Sequence, residues 1–144
     1  MEHSIEKRDG FCVVGRRAVT AQGGGTWQLA REDGSVKRME DLQTGKPLLG
    51  LCFGFDAQGQ NDYMVGVEYG FPVDGLETFE YPAARWLTYR LSGAISEDVL
   101  GNAWWYVKNE LLKKLDVQPA ELPSIESYIE WNDKENRCVV EIGS

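Results

Sequence analysis

The chain has 144 residues, 42% hydrophobic and 26% charged, the makeup of one soluble globular domain with room for a core. Its formal net charge of −8 argues against nucleic acid and anionic membrane surfaces as direct partners, and favours a cationic ligand or a basic partner. No apolar run approaches the roughly 18 residues of a membrane helix, no signal pattern opens the chain, and Cys12, Cys52 and Cys138 make no disulfide framework, so a cytoplasmic protein with buried thiols is expected.

Residues 1–10 are polar and read as a loose tail. Phe11 to Thr20 reads as a strand, which Gly23-Gly24-Gly25 breaks. Thr26 is placed to cap a helix that opens with Trp27. Gly34 interrupts that helix, which should end there or restart near Val36. Leu48 to Phe55 alternates large residues at 49, 51, 53 and 55 with small ones at 50, 52 and 54, the period of a strand with one bulky face. Tyr63 to Tyr69 alternates again after a polar turn, so the two segments predict an antiparallel hairpin. Pro72-Val73-Asp74-Gly75 is a turn that divides the single domain, 11–144, into half-units of about 11–72 and 73–144.

The second half opens with Leu76 to Phe79 and the strand Ala84 to Leu91. Ser96 is placed to cap a helix running to about Leu115, with Glu97 and Asp98 in its first turn. Leu100, Trp104, Val107, Leu111 and Leu115 form one stripe; Trp105, Tyr106 and Leu112 lie off it. Ile125 to Trp131 and Arg137 to Ile142 predict a closing hairpin. The order strand, helix, strand, strand thus occurs twice. The fold class is α+β: duplicated β-α-β-β units forming a pseudo-twofold antiparallel sheet with two helices and a central cleft.

Two segments repeat a frame: Tyr63-Met64-Val65-Gly66-Val67-Glu68-Tyr69-Gly70, and Cys138-Val139-Val140-Glu141-Ile142-Gly143. Each places one glutamate in an apolar run, at positions 73 apart. A carboxylate there is costly to desolvate unless something positive meets it. Together with Val14-Gly15, Trp27, Gly75-Leu76-Glu77 and Tyr81-Pro82-Ala83, in this order and spacing, these segments resemble the gyrase-inhibitor-like (GyrI-like) small-molecule-binding domains, also found as the effector-binding domain of AraC-type regulators. The resemblance runs from about Phe11 to the end. It implies a cleft between the halves, where members bind hydrophobic and often cationic molecules through aromatic stacking and a buried acid. It also implies, with ten residues ahead of Phe11, a stand-alone effector domain without the DNA-binding part that regulators carry.

On that resemblance Glu141 is the leading ligand anchor and Glu68 its mate, although each could instead reach solvent from a sheet. Trp27 is a cleft wall or a plug between helix and sheet. Trp86 and Tyr89 occupy opposite faces of one strand, so at most one faces the cleft; Tyr128 and Trp131 are divided in the same way. Trp104 is assigned to the core, and Trp105 and Tyr106 to a cleft wall or a subunit contact. No catalytic residue, metal or cofactor is expected: His3 stands alone, and no metal-ligand spacing, nucleophile elbow or phosphate loop occurs. The expected function is binding of a hydrophobic cationic small molecule. The rivals are a hydrolase using a Glu/Tyr pair in the same cleft, and a protein-interaction role with a separate regulatory partner. A homodimer through a sheet edge or the Trp105/Leu112 side is compatible with the pattern.

Overall fold

In the computed structural model of the protein, residues 2–21, 23–115, 122–132 and 137–143 are described, with side chains from His3 to Ile129 within those ranges. Among them, eight strands form one sheet: β1 (Glu2–Arg8), β2 (Phe11–Thr20), β3 (Leu48–Phe55), β4 (Asn61–Glu68), β5 (Glu77–Tyr81), β6 (Ala84–Gly93), β7 (Ser124–Asn132) and β8 (Arg137–Gly143). The order is β1-β6-β8-β7-β3-β4-β2-β5, with antiparallel ladders throughout. β2, β3 and β4 belong to the first predicted unit and β6, β7 and β8 to the second, set back to back. They join along β3 and β7, where Leu48–Cys52 pairs with Ser124–Tyr128. That ladder is centred on Gly50 opposite Glu126.

The helices explain themselves locally. α1 (Gly23–Glu32) begins within the glycine run, three residues before the predicted cap. Thr26 is therefore inside its first turn, fully buried, with Oγ1 donating to the Ala18 carbonyl at 3.4 Å. Gly34 takes a left-handed φ of 83° that stops the helix, and the Asp33 carboxylate accepts from the Ser35 N–H to start α2 (Ser35–Asp41). In the second half a 3-10 turn occupies Ile95–Glu97. Asp98, not Ser96, caps α3 (Val99–Tyr106), accepting from the Gly101 N–H at 3.3 Å. α3 continues through a π turn (Val107–Leu111) into α4 (Leu112–Leu115).

Residues 2–8, read as a loose tail, instead form β1, paired with β6 from Glu2↔Arg90 to Arg8↔Ala84. Their charged composition hides the strand because an edge strand needs no apolar face of its own and is protected by charge. Ser4 and Thr88 bond side chain to side chain across the pair at 2.8 Å.

α1 and α2 bury Ala30 and Met39 against Val14, Tyr63, Val65 and Val67. α3 and the π turn bury Ala103, Val107 and Leu111 against Leu87 and Tyr89. The other sheet face holds a second core of Val13, Leu49, Leu51, Met64, Tyr81, Trp86 and Ile125. There Tyr81 meets Trp86 with ring centroids 5.3 Å apart, although β5 and β6 stand near opposite ends of the strand order. The sheet must therefore curl strongly, which leaves the opposite face open between the two helix layers.

Candidate functional site

That opening is a cleft of about 450 Å³ above the β3–β7 ladder. Trp27 of α1 forms one wall, and Leu100, Trp104 and Lys108 of the second helix form the other; Cys52, Tyr63, Glu126 and Tyr128 rise from the sheet, with Phe55 at the mouth.

Strand alternation places Glu126 and Tyr128 on one face of β7, and Tyr63 on the matching face of β4, two strands away. The strand between offers Gly50, and the missing side chain lets the Tyr63 hydroxyl cross the backbone of β3. It donates to Glu126 Oε1 at 2.5 Å. The Tyr128 hydroxyl donates to the same oxygen at 3.1 Å, and Trp104 Nε1 to Oε2 at 2.8 Å. Behind them Trp27 Nε1 donates to the Tyr63 oxygen at 3.2 Å, and its ring meets Tyr128 edge-on with centroids 4.9 Å apart. Burial and then the Glu126 charge push the Tyr63 phenol far above its ordinary pKa; the same two causes raise Tyr128. Both remain protonated donors at any ordinary pH.

The carboxylate is thus held by three uncharged donors, and among the described residues it forms no ion pair. Its orientation is set in advance, while its charge is left for something else to meet. An aromatic box around one such acid suits a flat or bulky cation.

Of the residues singled out by sequence, Trp27 and Tyr128 line this cleft. Trp104, assigned to the core, lines it too. Glu68 is paired with Val13 of the second core, on the other sheet face, and is bound by Arg8 at 2.6 Å and Lys46 at 3.1 Å. Burial would raise its pKa, but the hydrogen bonds from Arg8 and Lys46 outweigh it and hold the carboxyl low. Trp86 lies in the second core, its Nε1 buried without a hydrogen-bond partner among the described residues. Tyr89 packs under α3 with its ring centroid 5.1 Å from Tyr106, and Trp105 is 59% exposed. The side chain of Glu141 is outside the described residues; its backbone pairs with Arg90 and Ser127.

Glu126, Tyr63, Gly50 and Lys108 carried no assignment from sequence. A signal existed: Glu126 and Tyr128 share a strand face at spacing two, and a face of small residues, Gly50 and Cys52, lies in β3. Which strand adjoins β3 is what brings the two together.

Residues 1–143 match the family model of the GyrI-like small molecule binding domain. No curated protein matches the sequence. The fold is similar to that of SAV2435, solved bound to tetraphenylphosphonium, with a TM-score of 0.76 at 18% identity over 99% of this chain and 92% of that one. It is similar to EcmrR in a complex with DNA, with a TM-score of 0.70 at 14% identity over 99% of this chain and 56% of that one. A hydrolase encoded by lin2189 of Listeria innocua is also similar, with a TM-score of 0.54 at 8% identity over 99% and 92% of the two chains. Among the described residues, no helix is long and apolar enough to cross a membrane.

Proposed function

Because the chain belongs to the GyrI-like small molecule binding domain family, we propose that its cleft takes a hydrophobic cation with Glu126 as the counter-charge. The observation that carries this is the Glu126 carboxylate, tethered by Tyr63, Tyr128 and Trp104 between aromatic walls and left without a cationic partner among the described residues. Burial of apolar ligand surface supplies affinity at about 25 cal/mol per Å². The acid supplies selectivity, since a neutral ligand of the same shape would bury Glu126 unpaired. The three tethers lower the ordering cost of binding, because the acceptor is in place before the ligand arrives.

The structure of SAV2435 with tetraphenylphosphonium supports that ion as a probe. Its titration should raise the melting temperature progressively, and triphenylphosphine oxide, which has similar rings and no charge, should do so far less. E126Q should lose the cation response. E141Q, assayed in parallel, tests whether the other glutamate contributes as well. Equal shifts with both compounds, or an intact cation response in E126Q, would sink this assignment.

We place the regulatory output in a separate partner. EcmrR, of which this chain covers 56%, was solved with DNA, while the net charge of −8 here disfavours direct contact with phosphates.

A second reading rests on the 2.5 Å contact of Tyr63 with Glu126, the pair that a small hydrolase would need: the glutamate to take a proton from water and the tyrosine to give one to a leaving group. Steady product formation from an aryl ester, lost in both E126Q and Y63F, would promote it over simple binding.

A further inference from the structure

Leu100, Trp104 and Lys108 stand four residues apart and form one row of the second helix facing the cleft. The π turn begins at Val107, one residue before Lys108, and widens the helix there. Val107 and Leu111 of that turn fill the core. Lys108 remains at the cleft, exposed, with Nζ 5.6 Å from the centroid of the Trp104 ring. The same indole donates its N–H to Glu126 Oε2 at 2.8 Å. One ring therefore carries both charges of the cleft, an ammonium over its face and a carboxylate at its Nε1 edge. Among the described residues, neither charge is in an ion pair.

We infer that the ligand is a zwitterion: a hydrophobic cation that also carries an anionic group, which Lys108 receives while Glu126 receives the cation. This deepens the cationic-cleft reading and rests on it. A simple cation would meet Glu126 well but would face the Lys108 ammonium across a single indole. A simple anion would face Glu126 in the same way, on a chain whose net charge is already −8. A ligand with both charges satisfies both groups.

The experiment compares two phosphonium ions with the same triphenyl head and tails of similar length, carboxybutyltriphenylphosphonium (a zwitterion) and pentyltriphenylphosphonium (a cation). Both are titrated calorimetrically into the full chain at low ionic strength. The wild type should prefer the zwitterion by about fivefold, the upper range for an exposed ion pair. K108M should abolish that preference by weakening the zwitterion and strengthening the cation. K108R should retain it. Melting curves of both variants report whether they are folded. Equal or weaker binding of the zwitterion by the wild type, or a preference that survives K108M, would overturn the role of Lys108. Failure of both ions to bind the wild type would instead remove the cationic-cleft reading, and this inference with it.

Discussion

Gly50 faces Glu126 across the central ladder, and the Tyr63 hydroxyl occupies the space that a side chain at position 50 would fill. A Cβ there would overlap that hydroxyl and lie 2.9 Å from Glu126 Oε1. G50A should therefore cost about 1–3 kcal/mol by overpacking, and should weaken tetraphenylphosphonium binding along with stability. Urea melts and calorimetry would check both; a fully stable G50A that binds normally would mean that Tyr63 can stand elsewhere. Y63F deletes the donor to Glu126 and the acceptor of Trp27 Nε1 while keeping the ring. Tyr128 and Trp104 still donate to Glu126, so the lost hydrogen bonds should cost about 0.5–1.5 kcal/mol, read as a lower melting temperature with or without ligand. Sequence could show that Glu126 and Tyr128 share a face. It could not show that a tyrosine from another hairpin would reach over a glycine to meet them.

At the scale of elements, the second helix carries three cleft residues, Leu100, Trp104 and Lys108, and its start is set by one side chain. Asp98 holds a left-handed φ of 50° and accepts from the Gly101 N–H. D98A should remove about 1 kcal/mol, whereas D98N should retain most of the cap; thermal melts of the two variants would separate them, and equal melting temperatures would rule out the cap as a source of stability. The break of the first helix at Gly34 was legible, since a glycine at φ 83° announces itself by type. The exact cap of the second helix was not. Ser96 and Asp98 both suit the role, and only the 3-10 turn that places Ser96 one turn early decides between them.

At the scale of the whole molecule, three carboxylates tie together segments that lie far apart along the chain and set the response to acid. Asp33 is lowered to about 2 by hydrogen bonds from Ser35 and then Arg16. Asp62 is lowered by its hydrogen bond from Arg17, against the opposing effect of burial. Glu68 is lowered in net by Arg8 and Lys46. All three are depressed in the folded state, so each contributes stability above its unfolded value and loses it as the pH falls through the folded one. Denaturant midpoints should therefore be flat near neutrality and fall between about pH 4 and pH 2. These groups are partly exposed, so each contribution is small and sensitive to salt. A midpoint that holds constant down to pH 2 would show that these pairs contribute nothing.

By itself the sequence determined the duplicated strand-helix-strand-strand unit, the two hairpins, the interrupted first helix and the family resemblance. Each is written in local periodicity or in turn residues, which act within a few positions. Only the tertiary structure decided that residues 2–8 form an edge strand, because a charged edge is stabilised by the ladder of its neighbour. It also decided that Glu126 lines the cleft and that Glu68 does not. The repeated frame around Glu68 and Glu141 is conspicuous along the chain, yet Glu68 is met by Arg8 and Lys46 on the other face of the sheet. Glu126 stands in the plain run Ser-Ile-Glu-Ser-Tyr and meets Tyr63 in the cleft only because β7 lies beside β3, with Gly50 opposite it. A site assembled across strand pairings takes its partners from register, and register is settled by how the whole sheet buries its two faces.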